Sequence, residues 1–165
     1  MKILVISDTH GILWNFNELI ERVKPIDMLL HCGDIEKDEE YIRMAAECPV
    51  YMVAGNNDLG GRLEKELFID IGKYHIMITH GHYYSVNYGL NMLVTAAKRK
   101  GANIVMFGHT HVPVIERIDD VVLINPGSIT IPRQSGRIPT YAFMEIDEEG
   151  EAHFTISEFF KKNRK

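Results

Sequence analysis

Cysteine is scarce in this sequence, because Cys32 and Cys48 are the only two among its 165 residues. Two cysteines make no disulfide framework, and these two lack the close spacing of a zinc knuckle or a redox pair. Their scarcity excludes a disulfide-rich secreted module and a thiolate-rich structural zinc site. We expect both thiols to be buried or half-buried packing residues.

Long apolar runs and an excess of basic residues are also missing. The apolar stretch within residues 1–8, MKILVISD, is too short for the core of a signal peptide and far too short to span a bilayer. The formal net charge of −5 argues against a large duplex nucleic-acid partner, which needs a basic face. The one basic cluster, residues 161–165, is interpreted as a frayed and solvated end. We predict a cytoplasmic protein with neither a membrane segment nor a duplex partner.

What is present is the composition of an ordinary globular protein. Hydrophobic residues make up 45% of the chain and charged residues 25%, which is unlike a disordered or fibrous protein. The length suits one domain and is too short for two ordinary ones. We therefore predict a single domain over residues 1–165, without an internal repeat, a low-complexity tract or a linker.

Apolar runs alternate with amphipathic segments in the first third of the chain. The runs lack polar alternation, as strands covered on both faces do. The segments between them carry apolar positions three or four apart, as crossover helices do. We therefore predict a parallel β-α-β-α-β unit. Its strands are residues 2–6, 28–32 and 50–54, and its helices are residues 14–23 and 38–48.

The remainder of the chain has the pattern of antiparallel strand pairs around one more helix and one more buried strand. Two sheets packed face to face, with helices outside, would accommodate so many buried strands. We therefore predict an α/β fold in one mixed domain. The predicted hairpins turn at residues 72–73, 119–120 and 148–150, the helix covers 87–99 and the strand covers 103–108.

Each of five apolar strands ends in residue types that bind metals. Ligands bind beyond the carboxyl ends of the strands in open α/β sheets, so we expect these clusters to converge although they are far apart in the chain. Residues two apart in an extended segment point the same way, which lets a pair such as Asp8 and His10 aim at one site. The candidates are Asp8, His10, Asp34, Asn56, Asn57, Asp58, His80, His82, His109 and His111.

The chemistry of this set favours a site for two divalent ions. Carboxylate, amide and imidazole ligands suit zinc, manganese or iron. The set exceeds what one four- to six-coordinate ion requires, so two ions with one bridging carboxylate are the economical interpretation. Three further histidines, His31, His75 and His153, lie inside predicted strands, and we expect them to pack rather than to bind metal.

The order of these motifs resembles that of the calcineurin-like metallophosphoesterases, and most of all their small, single-domain bacterial and archaeal phosphodiesterase branch. Any one of these motifs alone would be weak evidence for the family, whereas this many motifs in this order are specific to it. The resemblance implies a four-layer α/β/β/α sandwich of two mixed sheets flanked by helices. It rests on DTH at 8–10, GD at 33–34, GNND at 55–58, THGH at 79–82, GHTH at 108–111 and NPGSITIPR at 125–133.

The resemblance also implies a ligand set and a reaction. Manganese is the expected metal, with zinc, nickel and iron as alternatives. A hydroxide held between two ions would attack the phosphorus of a small phosphodiester. By motif, one ion would be bound by Asp8, His10 and His111 and the other by Asn56, His80 and His109, with Asp34 bridging.

Several residues near these ligands are candidates for contact with substrate. Many relatives carry a histidine, proposed as the general acid, where this chain has Asn57, and an amide donates hydrogen bonds but does not titrate near neutrality. His82 is the alternative candidate for contact with the leaving group. Asn56 supplies a neutral oxygen where the anionic substrate approaches. Ser128 is a candidate for binding the phosphate, whereas Arg133 is expected to have a surface or structural role.

Three functions remain open at this point. The leading one is a metal-dependent phosphodiesterase, and a phosphomonoesterase is the nearest alternative. A non-catalytic scaffold is the third, because this branch also resembles the small retromer subunit, which keeps the fold for protein contacts. The complete ligand set favours an enzyme. A homo-oligomer is also open, since exposed hairpin edges can pair between chains.

Overall fold

Unbroken apolar runs form the central strands of this protein, and amphipathic helices connect them. The computed structural model describes residues 1–160. Two short 3₁₀ turns, His82–Tyr84 and Val86–Tyr88, precede the last helix. In chain order the elements are β1 (Lys2–Ile6), α1 (Trp14–Val23), β2 (Met28–His31), α2 (Glu39–Ala46), β3 (Val50–Met52), β4 (Glu66–Ile71), β5 (Tyr74–Thr79), α3 (Asn91–Arg99), β6 (Ile104–Met106), β7 (Val114–Ile118), β8 (Val121–Asn125), β9 (Thr140–Ile146) and β10 (Ala152–Glu158).

The strands form two mixed sheets of five strands each. The first sheet has the order β10-β9-β1-β2-β3, in which β1, β2 and β3 are parallel and β9 and β10 are antiparallel. The second has the order β4-β5-β6-β8-β7, in which β5, β6 and β8 are parallel and each edge strand is antiparallel. The predicted parallel beginning and the three predicted hairpins are confirmed by these pairings.

Three apolar clusters define four layers. Ile3 and Val5 of β1 lie in the cluster between the two sheets. Their neighbour Leu4 faces the other way and packs with Phe16 of α1, because successive side chains of a strand point to opposite faces. Leu93 of α3 lies in a third cluster on the outer face of the second sheet. The predicted α/β/β/α sandwich of two mixed sheets flanked by helices is therefore confirmed.

The boundaries of five predicted elements differ from the structure. The strands predicted over 28–32 and 103–108 cover only Met28–His31 and Ile104–Met106. The helix predicted over residues 87–99 begins only at Asn91, because φ of +135° at Gly89 interrupts the helical backbone. The strand predicted over 50–54 ends at Met52, and the helix predicted over 38–48 ends at Ala46. The basic cluster at 161–165 lies outside the described residues.

The structure shows the burial of the two cysteines and the lengths of the helices. Both cysteines are free thiols, with Cys32 buried and Cys48 half-buried. Within residues 1–160, the helices are too short or too polar to cross a membrane.

Candidate metal centre

The polar strand ends of both sheets meet in one place. The Asp8 N–H donates to the Gly33 carbonyl at 3.0 Å, which joins the loops after β1 and β2. The Asp8 carboxylate accepts from the His109 N–H at 3.2 Å, which joins the two sheets. The convergence expected at the ends of parallel strands is therefore present. The side chains concerned are Asp8 after β1, Asp34 after β2, Asn56 after β3, His80 after β5 and His109 after β6.

Five of the predicted ligands have a left-handed backbone, which is uncommon for residues other than glycine. Such a conformation costs of order 1–3 kcal/mol per residue, and it persists at functional sites where the surroundings impose it. Its repetition at the strand ends is typical of a functional site. The φ angles are +56° at Asp8, +49° at His10, +55° at Asp34, +69° at His109 and +58° at His111.

Asp8, His10, Asp34 and His111 form a tight group. Each offers one ligand atom, and these atoms all lie within 4.8 Å of one another. The His10 Nε2 lies 3.3 Å from the His111 Nε2 and 3.6 Å from the Asp34 carboxylate. Two carboxylates and two imidazoles around one point are a donor set suited to a divalent cation.

A hydrogen bond fixes the orientation of the His111 ring. Its Nδ1 lies 2.6 Å from the Ile131 carbonyl, which can only accept, so Nδ1 carries the proton. In the neutral ring the Nε2 lone pair then points at the Asp8 Oδ1, 3.1 Å away. A cation between these two electron-rich atoms would satisfy both. This is the arrangement in which an outer hydrogen bond sets the tautomer of a metal-binding histidine.

Asp8 and His111 shift each other's pKa. Burial lowers the pKa of His111, but the hydrogen bond and charge of Asp8 outweigh burial and raise it overall. Burial raises the pKa of Asp8, yet the hydrogen bond to His111 and the charge of His80 hold it below its usual value. The buried Asp8 carboxylate is therefore ionised at neutral pH and attracts a cation.

His80 repeats the arrangement of His111 on the other side of Asp34. Its Nδ1 lies 2.7 Å from the Cys32 carbonyl, which leaves the Nε2 lone pair facing the Asn56 Oδ1 at 3.1 Å and the Asp34 carboxylate at 3.5 Å. Asp34 thus stands between His10 and His80, where a bridging ligand would stand. The ligand atoms on the His10 side of Asp34 therefore fit one divalent ion, and His80 and Asn56 offer two further ligand atoms on its other side.

His109 differs from the other histidines of the group. Its ring centroid lies 5.1 Å from that of His80, and its Nε2 accepts from the Asn87 amide at 2.9 Å. The proton of the neutral ring is therefore on Nδ1, so His109 could bind an ion through Nε2 only where the Asn87 amide gives up this contact. The sequence analysis missed Asn87, because it lies in a stretch predicted to be helical and carries no spacing signal.

Two motif glycines allow the carboxylates to be packed this closely. A Cβ atom on Gly55 would overlap the Asp34 carboxylate and its backbone N–H. A Cβ atom on Gly108 would overlap the Ser7 hydroxyl and come within 2.8 Å of the Asp8 Oδ2. Both positions therefore require glycine, because the carboxylates and the neighbouring loops approach the backbone this closely.

Asn57 and Asp58 both act on neighbouring loops. The Asn57 N–H donates to Asp34 Oδ1 at 2.8 Å and its amide donates to Asp34 Oδ2 at 2.7 Å, so both carboxylate oxygens are held. The Asp58 carboxylate accepts from the N–H groups of Ile35 at 2.9 Å and Gly55 at 2.7 Å. These contacts join the loops after β2 and β3.

His82 borders the group on the His80 side. Its ring centroid lies 5.3 Å from that of His80 and 4.0 Å from that of Tyr83. Burial, followed by the charges of His80 and His109, lowers the pKa of His82 to about 4. The ammonium of Lys65 lies 4.6 Å from the centre of the Tyr83 ring.

Ser128 does not have the surroundings expected of a substrate-binding residue, and this prediction is corrected. Its side chain is fully buried. The hydroxyl donates to the Asp8 carbonyl at 2.8 Å and accepts from the N–H groups of Thr130 at 3.1 Å and Ile131 at 2.8 Å. Since every bonding direction is used inside the protein, Ser128 holds the end of β1 and the loop after β8 together.

Arg133 and Glu36 lie at the exposed rim. The Arg133 N–H donates to the His111 carbonyl at 3.1 Å, and its guanidinium lies 3.4 Å from the His109 carbonyl. Glu36, which the sequence analysis missed, has a carboxylate oxygen 3.4 Å from the His10 Nδ1. Its position two residues after Asp34 was the one signal that could have identified it.

The remaining histidines have partners outside the group. The buried His31 accepts from the Gly33 N–H at 3.2 Å and contacts the Thr9 hydroxyl at 3.1 Å, and burial lowers its pKa to about 3. His75 pairs with Asp70 at 2.5 Å, and His153 pairs with Asp147 at 2.7 Å.

The chain belongs to the calcineurin-like phosphoesterase superfamily, whose domain matches residues 1–149. A probable metallophosphoesterase of Bacillus subtilis is 32% identical over 150 residues, which cover 90% of this chain and 86% of that protein. A phosphodiesterase of Methanocaldococcus jannaschii is 35% identical over 147 residues, which cover 77% of this chain and 83% of that protein. The predicted resemblance is therefore confirmed.

Solved structures agree with this assignment. A predicted phosphoesterase from Streptococcus pneumoniae superposes with a TM-score of 0.77 at 28% identity, covering 95% of this chain and 97% of that one. Zinc-bound Vps29 from Entamoeba histolytica superposes with a TM-score of 0.76 at 22% identity, covering 97% and 100%. At that identity Vps29 shows the shared fold alone.

Proposed function

We propose that this protein is a metal-dependent phosphodiesterase that hydrolyses small phosphodiesters at a site of two divalent ions. The observation that carries the proposal is the orientation of His111 and His80. A backbone carbonyl fixes the proton of each ring on Nδ1, so that Nε2 faces a buried carboxylate. Manganese is the proposed metal, with zinc, nickel and iron as alternatives.

The proposed ligand set is the one implied by the motifs. Asp34 would be the ligand shared by both ions, because its carboxylate lies 3.6 Å from His10 and 3.5 Å from His80. The neutral oxygen of Asn56 would complete the ligand set of one ion. It adds no negative charge where the anionic substrate approaches. The proposed ligands of one ion are Asp8, His10 and His111, and those of the other are Asn56, His80 and His109.

The side chains around these ligands have separate roles in the proposal. Bound divalent ions would supply Lewis acidity and a nucleophile at neutral pH. Asn57 holds both oxygens of Asp34, which makes it a positioning residue. We propose that the Arg133 guanidinium, which lies beside the His109 carbonyl, pairs with a phosphate oxygen instead of having only the surface or structural role expected from the sequence. His82 borders the same space from the His80 side and stays the candidate for contact with the leaving group.

A direct assay tests this function. The purified chain is supplied with manganese and its hydrolysis of bis(p-nitrophenyl) phosphate is compared with that of p-nitrophenyl phosphate. We expect the diester to be hydrolysed faster. The Asp34→Ala variant is expected to lose about 10³-fold or more in kcat/KM, because a metal ion contributes several kcal/mol to the transition state. Asp120→Ala is the matched control, since that carboxylate is 82% exposed.

The outcomes separate the competing functions. Faster hydrolysis of the monoester would make the protein a phosphomonoesterase. Absence of hydrolysis with manganese, zinc, nickel and iron, or full activity in Asp34→Ala, would contradict the enzyme and support a non-catalytic scaffold. Cytoplasmic location and homo-oligomerisation stay predictions, to be checked by fractionation and by light scattering.

A further inference from the structure

Large apolar side chains are exposed around the candidate metal centre. Ile12 is 42% exposed, Trp14 80%, Val112 40% and Ile131 43%. Single exposed apolar residues are normal on protein surfaces. Ile12, Val112 and Ile131, however, lie in the loops that follow β1, β6 and β8, two of which carry His10 and His111, and Trp14 begins α1 directly after the first of these loops. We call these four side chains the apolar rim.

Hydrogen bonds tie the loops of the apolar rim to one another. The Thr130 hydroxyl donates to the Ile12 carbonyl at 3.3 Å, which joins the loops after β8 and β1. The His111 Nδ1 donates to the Ile131 carbonyl at 2.6 Å, which joins the loops after β6 and β8. The backbone of the apolar rim is therefore held against the residues that would bind one of the two ions.

Trp14 has no part in the core. It is the first residue of α1, whose buried residues are Asn15, Phe16, Leu19, Ile20 and Val23. Trp14 therefore projects to solvent from the start of the helix, four residues after His10. The side-chain amide of the next residue, Asn15, donates to the Ile129 carbonyl at 2.7 Å, which holds the start of α1 against the loop after β8. Packing in the core does not account for a tryptophan at this position, whereas a ligand bound beside these loops would give its ring a partner.

The size of the apolar rim argues for a small occupant. A specific protein interface uses about 20–30 residues on each side, and the rim has four side chains. A small-molecule site, by contrast, typically combines apolar walls with a few polar groups that fix the orientation of the ligand. Here the polar groups are Asp8, His10, Asp34 and His111, and the apolar side chains come from the loops after β1, β6 and β8 and from the start of α1.

We propose that the apolar rim binds one organic substituent of a phosphodiester whose phosphate lies at the metal centre, and that Trp14 selects substituents with an aromatic ring. The proposal rests on the proposed function for the position of the phosphate. It adds the substrate class, which is phosphodiesters with an aromatic group rather than with small alkyl groups. An aromatic ring packs on Trp14 and is covered by the flanking aliphatic side chains.

The test measures binding, so it does not depend on turnover. The chain has a single tryptophan, and therefore its fluorescence reports on Trp14 alone. The manganese-loaded protein is titrated with diphenyl phosphate and with dimethyl phosphate, two monoanions that differ in the aromatic ring. We expect diphenyl phosphate to change the emission and to bind roughly tenfold more tightly, the scale of one aromatic contact.

Variants identify the side chain responsible. Calorimetry with Trp14→Ala is expected to bring the two affinities to within about twofold, while inorganic phosphate binds as it does to the wild type. Met44→Ala is the matched control, because Met44 is 66% exposed and lies on α2, a helix that contributes no residue to the apolar rim. That variant is expected to keep the full preference. Thermal unfolding of each variant checks that the fold is intact.

Three results would overturn the proposal. The first is equal affinity of the wild type for the two diesters. The second is an unchanged preference in Trp14→Ala. The third is tight binding of benzyl alcohol, which lacks a phosphate, because the rim would then bind apolar groups independently of the metal centre. If the proposed function fails, p-nitrophenyl esters are not hydrolysed, yet the preference for diphenyl phosphate can still be measured.

Discussion

Glu36 lies 3.4 Å from the Nδ1 of His10, the ring nitrogen opposite to the one that faces the other ligands. A carboxylate in this position orients a metal-binding histidine and raises its basicity, and losing such a partner costs about 10- to 100-fold in metal affinity. The side chain of Glu36 is 41% exposed, which places the expected effect at the lower end of this range.

The first prediction concerns Glu36→Ala. We expect this variant to bind manganese about tenfold more weakly by calorimetry, because His10 loses its acceptor. Glu40→Ala is the matched control, an exposed acid on α2. Equal manganese affinity in Glu36→Ala and Glu40→Ala would mean that Glu36 does not orient His10.

The second prediction concerns Asn57, whose amide donates to Asp34 at 2.7 Å. If Asn57 positions Asp34, Asn57→Ala lowers kcat by the same factor for esters with good and poor leaving groups, about 10- to 100-fold. The measurement compares p-nitrophenyl and phenyl esters of the same phosphate. A larger loss for the phenyl ester would instead identify Asn57 as a donor to the leaving group.

Single residues also show why the site could be only partly foreseen. Asp8, His10, Asp34 and the GHTH histidines were identifiable because each follows an apolar strand. The left-handed backbone at these positions and the contact of Asn87 with His109 depend on loops from distant parts of the chain. Ser128 was misjudged because nothing in NPGS reveals that its hydroxyl is bonded three ways inside the protein.

At the scale of secondary-structure elements, β4 and α3 are joined by a polar cluster. Glu66 at the start of β4 lies 2.5 Å from the Lys100 ammonium after α3, and it accepts from the Tyr84 hydroxyl. Burial raises the pKa of Glu66, but the hydrogen bonds to Lys100 and Tyr84 outweigh burial and lower it overall. The ionised carboxylate therefore stabilises the contact between these elements.

The third prediction follows from this lowered pKa. At pH 7 we expect Glu66→Gln to reduce the free energy of unfolding by about 0.5–1 kcal/mol, measured in urea. The folded-state pKa lies below the unfolded value of about 4.3, so this stabilisation is present above that value. It is lost as the pH falls through the folded-state pKa. Glu116→Gln, at an exposed position on β7, is the control and is expected to change little.

The secondary-structure elements that were predicted best are those for which one sequence pattern is sufficient. β1, β2 and α1 follow directly from apolar runs and from a helical spacing of apolar residues. The helix before Gly101 was predicted to begin too early, because its apolar spacing extends through residues that the structure folds as a 3₁₀ turn. Gly89, with φ of +135°, breaks the helix, and its conformation depends on the neighbouring loops.

At the scale of the whole molecule, the four layers follow from the number of buried strands. One sheet could not cover both faces of so many apolar strands, whereas two stacked sheets bury Ile3 and Val5 between them and Leu4 beneath α1. The order of the strands was not readable from the chain. Placing β9 beside β1 depends on contacts across almost the whole sequence.

The two sheets together create the candidate site, since Asp8 and Asp34 come from one sheet and His80 and His109 from the other. If the two sheets separate, the ligands from each sheet move apart. We therefore expect the whole site to be lost together. We propose that these strand ends hold two divalent ions.

The most direct test of that claim is an anomalous difference map at the manganese absorption edge, from crystals grown with manganese. We expect two peaks, one on each side of Asp34. One lies among Asp8, His10 and His111, and the other among Asn56, His80 and His109. A single peak at this site, or peaks only at other places on the protein, would contradict the proposal of a two-ion site.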